Sequence, residues 1–323
     1  MRAMPKVTSL VCLAGASLVA QTQAAAQEWP VRPVRIVVGF SPGSSTDFTA
    51  RTVGAKLADL WKQPVVYENR SGAGGAIGYA MVAKATPDGH TLAVVSSALV
   101  ANAVLSAKAI YDPLKDFAAV AQVGYPTSVV ATSASLNIKT LKDLITAAKA
   151  GGRKFFYGTT GAGSGTHMGT VRFNMAAGIA PQHVAFKGQP ELLIEIVTGR
   201  VHFGIPGLGP SMAMIKDGKL VPLAVVTPTR SPQLPDVPTV LEILPNFERD
   251  ATHGLVAPAA TPRPVLEKIS RDLARVLEMP EVRRQFEAIS FTVAHVAPGE
   301  YQKLMARLVA NYERVAREAG LKK

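Results

Sequence analysis

Val34-Arg-Ile-Val-Val-Gly39, running on into Phe40-Ser-Pro-Gly-Ser-Ser-Thr-Asp47, is a continuous apolar strand that empties into a loop of small and hydroxyl residues. The pattern returns twice before residue 100. Pro64 to Arg70 opens into Ser71-Gly-Ala-Gly-Gly-Ala-Ile-Gly78, and Thr91 to Ser97 closes the series. After the first loop Ala50, Val53, Leu57, Leu60 and Trp61 recur on one face of a helix. Strand, loop and helix in this order predict an α/β unit whose loops gather at one edge of a sheet. Such loops carry little side chain and many free backbone N–H groups at helix starts, where the helix dipole favours negative charge. They read as cradles for a small acid.

The alternation resumes beyond Pro126. Strands are expected at Ser128 to Thr132, Lys154 to Tyr157, Gln182 to Phe186, Val201 to Ile205 and Val221 to Val226. Helices fall at Thr140 to Lys149, Thr166 to Ala177 and from Pro190 to Gly199, with the loop Gly158 to Gly165 between strand and helix. Each strand is apolar throughout, which predicts mostly parallel sheets covered on both faces. A proline-rich stretch, Pro228 to Pro245, leads to a further strand at His253 to Pro258 and two long amphipathic helices.

Arg35-Ile-Val-Val-Gly-Phe-Ser-Pro-Gly-Ser-Ser-Thr-Asp47, Gln63-Pro-Val-Val-Tyr-Glu-Asn-Arg-Ser-Gly-Ala-Gly-Gly75 and Pro87-Asp-Gly-His-Thr-Leu92 resemble the Bug family, the extracytoplasmic solute receptors of tripartite tricarboxylate transporters. The likeness continues through Gly158-Thr-Thr-Gly-Ala-Gly-Ser-Gly-Thr-His167, Phe186-Lys-Gly188, Gly199-Arg-Val201 and Arg230 to Thr239. It implies a two-lobed periplasmic-binding-protein fold of type II-like architecture. The strand at His253 would cross back into the first lobe and leave two connections as a hinge. It also implies ligands such as di- or tricarboxylates, acidic amino acids or aromatic acids, and membrane transporter subunits as partners. The expected division is 1–26 as signal peptide, 27–125 with 251–323 as the first lobe, and 126–250 as the second.

Arg2 and Lys6, the apolar run Val7 to Ala20, and Ala24-Ala-Ala26 have the form of a secretory signal cleaved after Ala26, which implies a periplasmic protein. The lone Cys12 lies in that run and would leave with it, excluding disulfides, thiol catalysis and Cys-ligated metal in the mature chain. Cleavage takes the formal charge from +12 to +10, since Arg2 and Lys6 are lost without any acid. The basic residues are densest on the last helices and lack interleaved aromatics, so a solvated face or steering of anions fits better than nucleic acid. Six scattered histidines and dispersed carboxylates suggest neither a metal site nor an acid–base pair.

The individual motifs admit more than one reading. Ser44 and Asp47 can form a capping box, or the N–H groups from Ser44 to Asp47 can grip a carboxylate. Three such loops in the family's order favour the second. Gly72 to Gly78 approaches a dinucleotide fingerprint but has Ile77 where the third glycine belongs. Gly158 to His167 lacks the lysine of a phosphate loop and the flanking glycines of a serine-hydrolase elbow. His167 packs or caps, or binds ligand. The reading is a monomeric carboxylate-binding receptor without cofactor. Its expected ligand-binding residues are Phe40, Ser41, Gly43, Ser44, Ser45, Thr46, Asp47, Gly75, Ala76, Ser96 and Ser97 in the first lobe, and Thr160, Gly161, Ser164, Thr166, His167, Pro206 and Gly207 in the second. An exported oxidoreductase using the Gly72 to Gly78 turn, or a receptor for a signalling partner, are the alternatives.

Overall fold

The computed structural model describes residues 29–321 apart from 163 and 248–251. The expected signal segment 1–26 with Cys12, the residue Gly163 and the expected lobe junction at 250/251 lie outside the described residues. In chain order the first elements are β1 (Val34–Val38), α1 (Ser45–Trp61), β2 (Val65–Asn69), α2 (Ala76–Ala83), β3 (Thr91–Ser96), α3 (Ala98–Leu105) and β4 (Phe117–Pro126). Next come β5 (Val129–Ser133), α4 (Leu141–Gly151), β6 (Phe156–Thr159), α5 (Gly165–Ala177), β7 (Gln182–Ala185), α6 (Gln189–Val197), β8 (Phe203–Gly204), α7 (Leu208–Lys216), β9 (Leu220–Val225) and α8 (Val240–Ile243). The chain ends with β10 (His253–Pro258), α9 (Arg263–Glu278), α10 (Pro280–Ala288), β11 (Phe291–Val296) and α11 (Pro298–Glu318).

Two sheets result, with strand orders β11-β4-β10-β3-β1-β2 and β7-β6-β8-β5-β9. Val34, Ile36, Val37 and Val38 of β1 are wholly buried, as a strand covered on both faces requires. α1 lays Ala50, Val53, Leu57 and Trp61 into the same core as Leu266, Ile269 and Leu273 of α9. Leu60, expected in that stripe, is 40% exposed, because Trp61, four residues after Leu57, takes the buried position in the last turn. On the other face Tyr79, Leu99, Tyr301 and Met305 bring α2, α3 and α11 together. The second sheet is sandwiched likewise, between α4 and α5 on one side and α6 and α7 on the other.

The expectation of mostly parallel sheets is corrected: both are mixed. Parallel pairing is confined to β2-β1-β3 and β7-β6-β8, whereas β10 runs antiparallel to β3 and β4, β11 to β4, and β5 to β8 and β9. The reason lies in the crossings. The chain leaves the first sheet after Pro126 and returns at His253, both at the edge where β1 and β3 end, so β5 and β10 enter from that edge and run backwards. β4, β11 and α10 carry no assignment from sequence. Phe117-Ala-Ala-Val-Ala-Gln-Val-Gly-Tyr-Pro126 is poor in β-branched residues, and its strand state comes from pairing with β10 and β11 on both sides.

The parallel register sets Val38 opposite Asn69 and Val94, so the loops after β1, β2 and β3 share one edge. In the second sheet Tyr157 lies opposite Phe203 and Thr159 opposite Ala185, which puts the loop after β6 at the matching edge. Open α/β sheets carry their sites at the carboxyl ends of strands.

Candidate functional site

Both edges open on one cavity of about 710 Å³. Phe40, Gly43, Ser44, Ser45 and Thr46 line it from the loop after β1, and Ser96 and Ser97 from the end of β3. Thr160, Gly161, Ser164 and Thr166 face them from the loop after β6, with Gly207 at the start of α7.

Each loop is organised by its own hydroxyls. Ser44 caps α1, its Oγ accepting from Asp47 N–H at 3.2 Å, while its carbonyl accepts from Phe48 N–H at 2.8 Å. That is half of a capping box. The Asp47 carboxylate reaches past Ser44 to accept from Gly43 N–H at 2.9 Å, and from Arg51 Nε and Asn69 Nδ2. Burial opposes its charge, but these donors together hold Asp47 below the usual carboxylate range. The ionised group is thereby turned away from the cavity. Ser164 repeats the cap on α5, accepting from His167 N–H at 3.2 Å and Met168 N–H at 3.1 Å. At both helix starts the two N–H groups between cap and first acceptor, Ser45 and Thr46 in α1, Gly165 and Thr166 in α5, are left without an intrahelical carbonyl.

Not every expected residue reaches the cavity. Ser41 is exposed and uses its carbonyl to accept from Ser44 N–H at 3.2 Å. Pro206 spends its carbonyl on Val129 N–H at 3.0 Å. Gly75 packs behind the loop: a Cβ on Gly39 would meet Gly75 Cα at 2.8 Å, so the end of β1 and the start of α2 touch only because residue 39 is glycine, while a Cβ on Gly75 itself would meet the Tyr79 ring at 2.9 Å. Ala76 and His167 line a separate cavity of about 480 Å³. His167 is buried and stacks on His183 with ring centroids 4.0 Å apart; burial first and His183 second lower its pKa to about 4.

Several lining residues have no local signal in the sequence. His253 begins β10 beside Ser96, places Nδ1 3.1 Å from Thr49 Oγ1, and burial lowers its pKa to about 4, so it is neutral near pH 7. Arg172 of α5 is buried with its guanidinium 5.2 Å from the Tyr312 ring centre on α11. Among the described residues it is the one side chain with a fixed charge on the cavity wall. Phe48, Phe247, Ile205, Val226 and Ile289 add apolar surface. The lobes come close across the cleft at Gly165, where an added Cβ would lie 3.4 Å from Ser97 Oγ.

Two α/β lobes joined by two crossings, with helix starts from each pointing into the cleft between them, define a solute-binding protein of the periplasmic-binding-protein fold. Residues 49–321 match the model of the tripartite tricarboxylate transporter family receptor. Protein BugT of Bordetella pertussis is 31% identical over 300 residues, 92% of either chain. Among solved structures, Rpa4515 of R. palustris with adipate superposes with a TM-score of 0.80 at 31% identity, covering 91% of this chain and 99% of the other. MatC (Rpa3494) from Rhodopseudomonas palustris with bound malate gives 0.77 at 30%, covering 89% and 99%. The chain belongs to the tripartite tricarboxylate transporter receptor family, the Bug proteins, which are binding proteins and not enzymes.

Proposed function

We propose that this protein is a periplasmic receptor that captures a small organic acid between its lobes and delivers it to the membrane subunits of a tripartite transporter. The observation that carries the reading is the pair of helix starts. Ser45 and Thr46 on one lobe, Gly165 and Thr166 on the other, offer main-chain donors to a single cavity from which Asp47 has been turned away. Opposed helix dipoles and a buried Arg172 favour an anion there. The lobes are 27–125 with 251–323, and 126–250, with the crossings near 126 and 250 as the hinge. Gly43, Ser44 and Ser97 line the same cleft from the first lobe, and Thr160, Gly161, Ser164 and Gly207 from the second. Relatives solved with adipate and with malate support a carboxylate as the ligand class.

The protein is exported through residues 1–26 and works as a monomer. A thermal-shift screen of the mature chain against organic acids tests the reading. A cognate acid at 100 times its dissociation constant stabilises the folded state by about 2.7 kcal/mol. The acid is recovered chemically unchanged; conversion of it by the purified protein would sink the proposal.

A further inference from the structure

Helix α5 is apolar on two sides. Met168 and Val171, three apart on one face, are 0% and 6% exposed and lie in a buried cluster with Val100 and Val104 of α3 and Leu308 and Val315 of α11. Phe173 and Ala177, on the other side of the helix, are buried in the core of the second lobe, with Phe173 edge-on to Phe203 at 5.9 Å. A short loop tied by the Thr160–Thr166 bond at 2.9 Å joins α5 to β6. Packing and chain connection thus fix α5 to the second sheet, whereas α3 and α11 pack on the first. The Met168–Val171 face is a seam between the lobes.

This seam starts at the edge of the cleft. Gly165 opens α5 and Ser97 precedes α3, and a Cβ on the first would lie 3.4 Å from Oγ of the second; one turn further along, Met168 and Val171 meet the helices of the first lobe. Arg172 spans the same junction, its guanidinium 5.2 Å from the Tyr312 ring centre on α11. Because the second lobe holds α5, any change in the angle between the lobes displaces this face relative to α3 and α11. Neither Met168 nor Val171 is among the described residues that line the cavity. Their contact is apolar and non-directional, so it parts and re-forms without stranding a hydrogen bond, and each closing removes the same apolar surface from water whichever acid is bound. A receptor that binds in its closed form has its affinity scaled by the closed fraction.

Resting on the receptor reading above, we infer that the Met168–Val171 face of α5 is a closure latch: it parts from α3 and α11 when the lobes open, seats again when they close, and sets the affinity for every acid without touching the ligand. Residues 27–323 hold no cysteine, so Val171→Cys, a small apolar replacement, places a single thiol in the seam. N-ethylmaleimide modifies that thiol in the ligand-free protein and reacts at least about tenfold more slowly with saturating adipate or malate. Val171→Thr and Met168→Gln, both close to isosteric, each weaken calorimetric binding of the two acids by about three- to thirtyfold, with the ratio between the acids kept within about twofold and the ligand-free melting temperature unchanged. A seam with only a structural role would instead lower that melting temperature and leave affinity alone. A thiol that stays unreactive without ligand, an acid that binds without protecting it, or unequal losses for the two acids overturns the latch and leaves the receptor standing. Absence of binding by adipate, malate and every acid of the thermal-shift screen overturns the receptor reading and the latch together.

Discussion

Thr166 holds the entry of α5 together. Its hydroxyl accepts from Thr160 N–H at 2.9 Å and shares bonds with Thr160 Oγ1 at 2.8 Å and Ser164 Oγ at 2.9 Å. Thr46 has less to do, with one contact to Ser44 Oγ at 3.2 Å. Removal of the first hydroxyl leaves the half-buried Thr160 N–H without its acceptor and breaks two hydroxyl contacts, and removal of the second breaks one. Thr166→Val therefore costs about 1–3 kcal/mol in urea unfolding and weakens acid binding, whereas Thr46→Val costs less than about 1 kcal/mol. Equal effects of the two would show that the hydroxyl network around Thr166 is not what orders the loop. Ser44 was recognisable as a cap from sequence because a cap acts within three residues, whereas Ser164, expected as a ligand donor, proves to be a cap only in the structure. Asp47 was not fully legible: its partner Asn69 lies 22 positions away, across the pairing of β1 with β2.

At the scale of elements, the strands and helix starts of 34–97 and 154–177 follow from apolar runs and Gly-Ser-Thr loops that any reader of the chain can find. The strand at His253 was legible as a strand, while its place between β3 and β4 was not, since nothing local encodes antiparallel insertion. That insertion buries His253 completely, and the start of α5 buries His167. Both pKa values drop from 6.5 to about 4, burial being the first cause in each. A depressed histidine leaves the folded chain unprotonated while the unfolded chain takes up protons, so stability is complete above about pH 6.5 and declines as pH falls toward about 4. For His253 alone the loss at pH 5 relative to pH 7.5 is about 2 kcal/mol. Urea midpoints measured across this range should fall on acidification, and His253→Gln should flatten the slope. A midpoint that rises as pH falls would contradict the burial of these rings.

For the molecule as a whole, the cleft works only if the lobes can approach. Gly163 lies outside the described residues, and at Gly165 the structure supplies a distance between the lobes. Its Cβ would sit 3.4 Å from Ser97 Oγ, an ordinary contact, so Gly165→Ala is accommodated with the lobes together. The branches of valine reach further and hold the lobes apart. Gly165→Val should fold with a near-normal melting temperature in the absence of ligand, yet show no decrease in radius of gyration on adding an acid that compacts the wild type. Small-angle scattering with and without ligand measures this. Compaction of the valine variant to the wild-type value would show that closure does not pass through the Gly165–Ser97 contact.

The chain alone determined the α/β class, the family, the cap at Ser44 and the donor-rich loops, because periodicity, capping and turn chemistry act over a few residues. Tertiary structure decided which of those loops share a cavity and what else joins them. Phe247 follows a proline-rich stretch, Ile289 precedes an unassigned strand, and Arg172 sits mid-helix among apolar neighbours, so no local pattern sets any of them apart. They meet because two sheets bring their strand ends to a common edge and the chain crosses there twice, a relation between residues more than 100 positions apart. The donor-rich helix starts were legible in short-range motifs, while the side chains that join them around the cavity come together only in the assembled cleft.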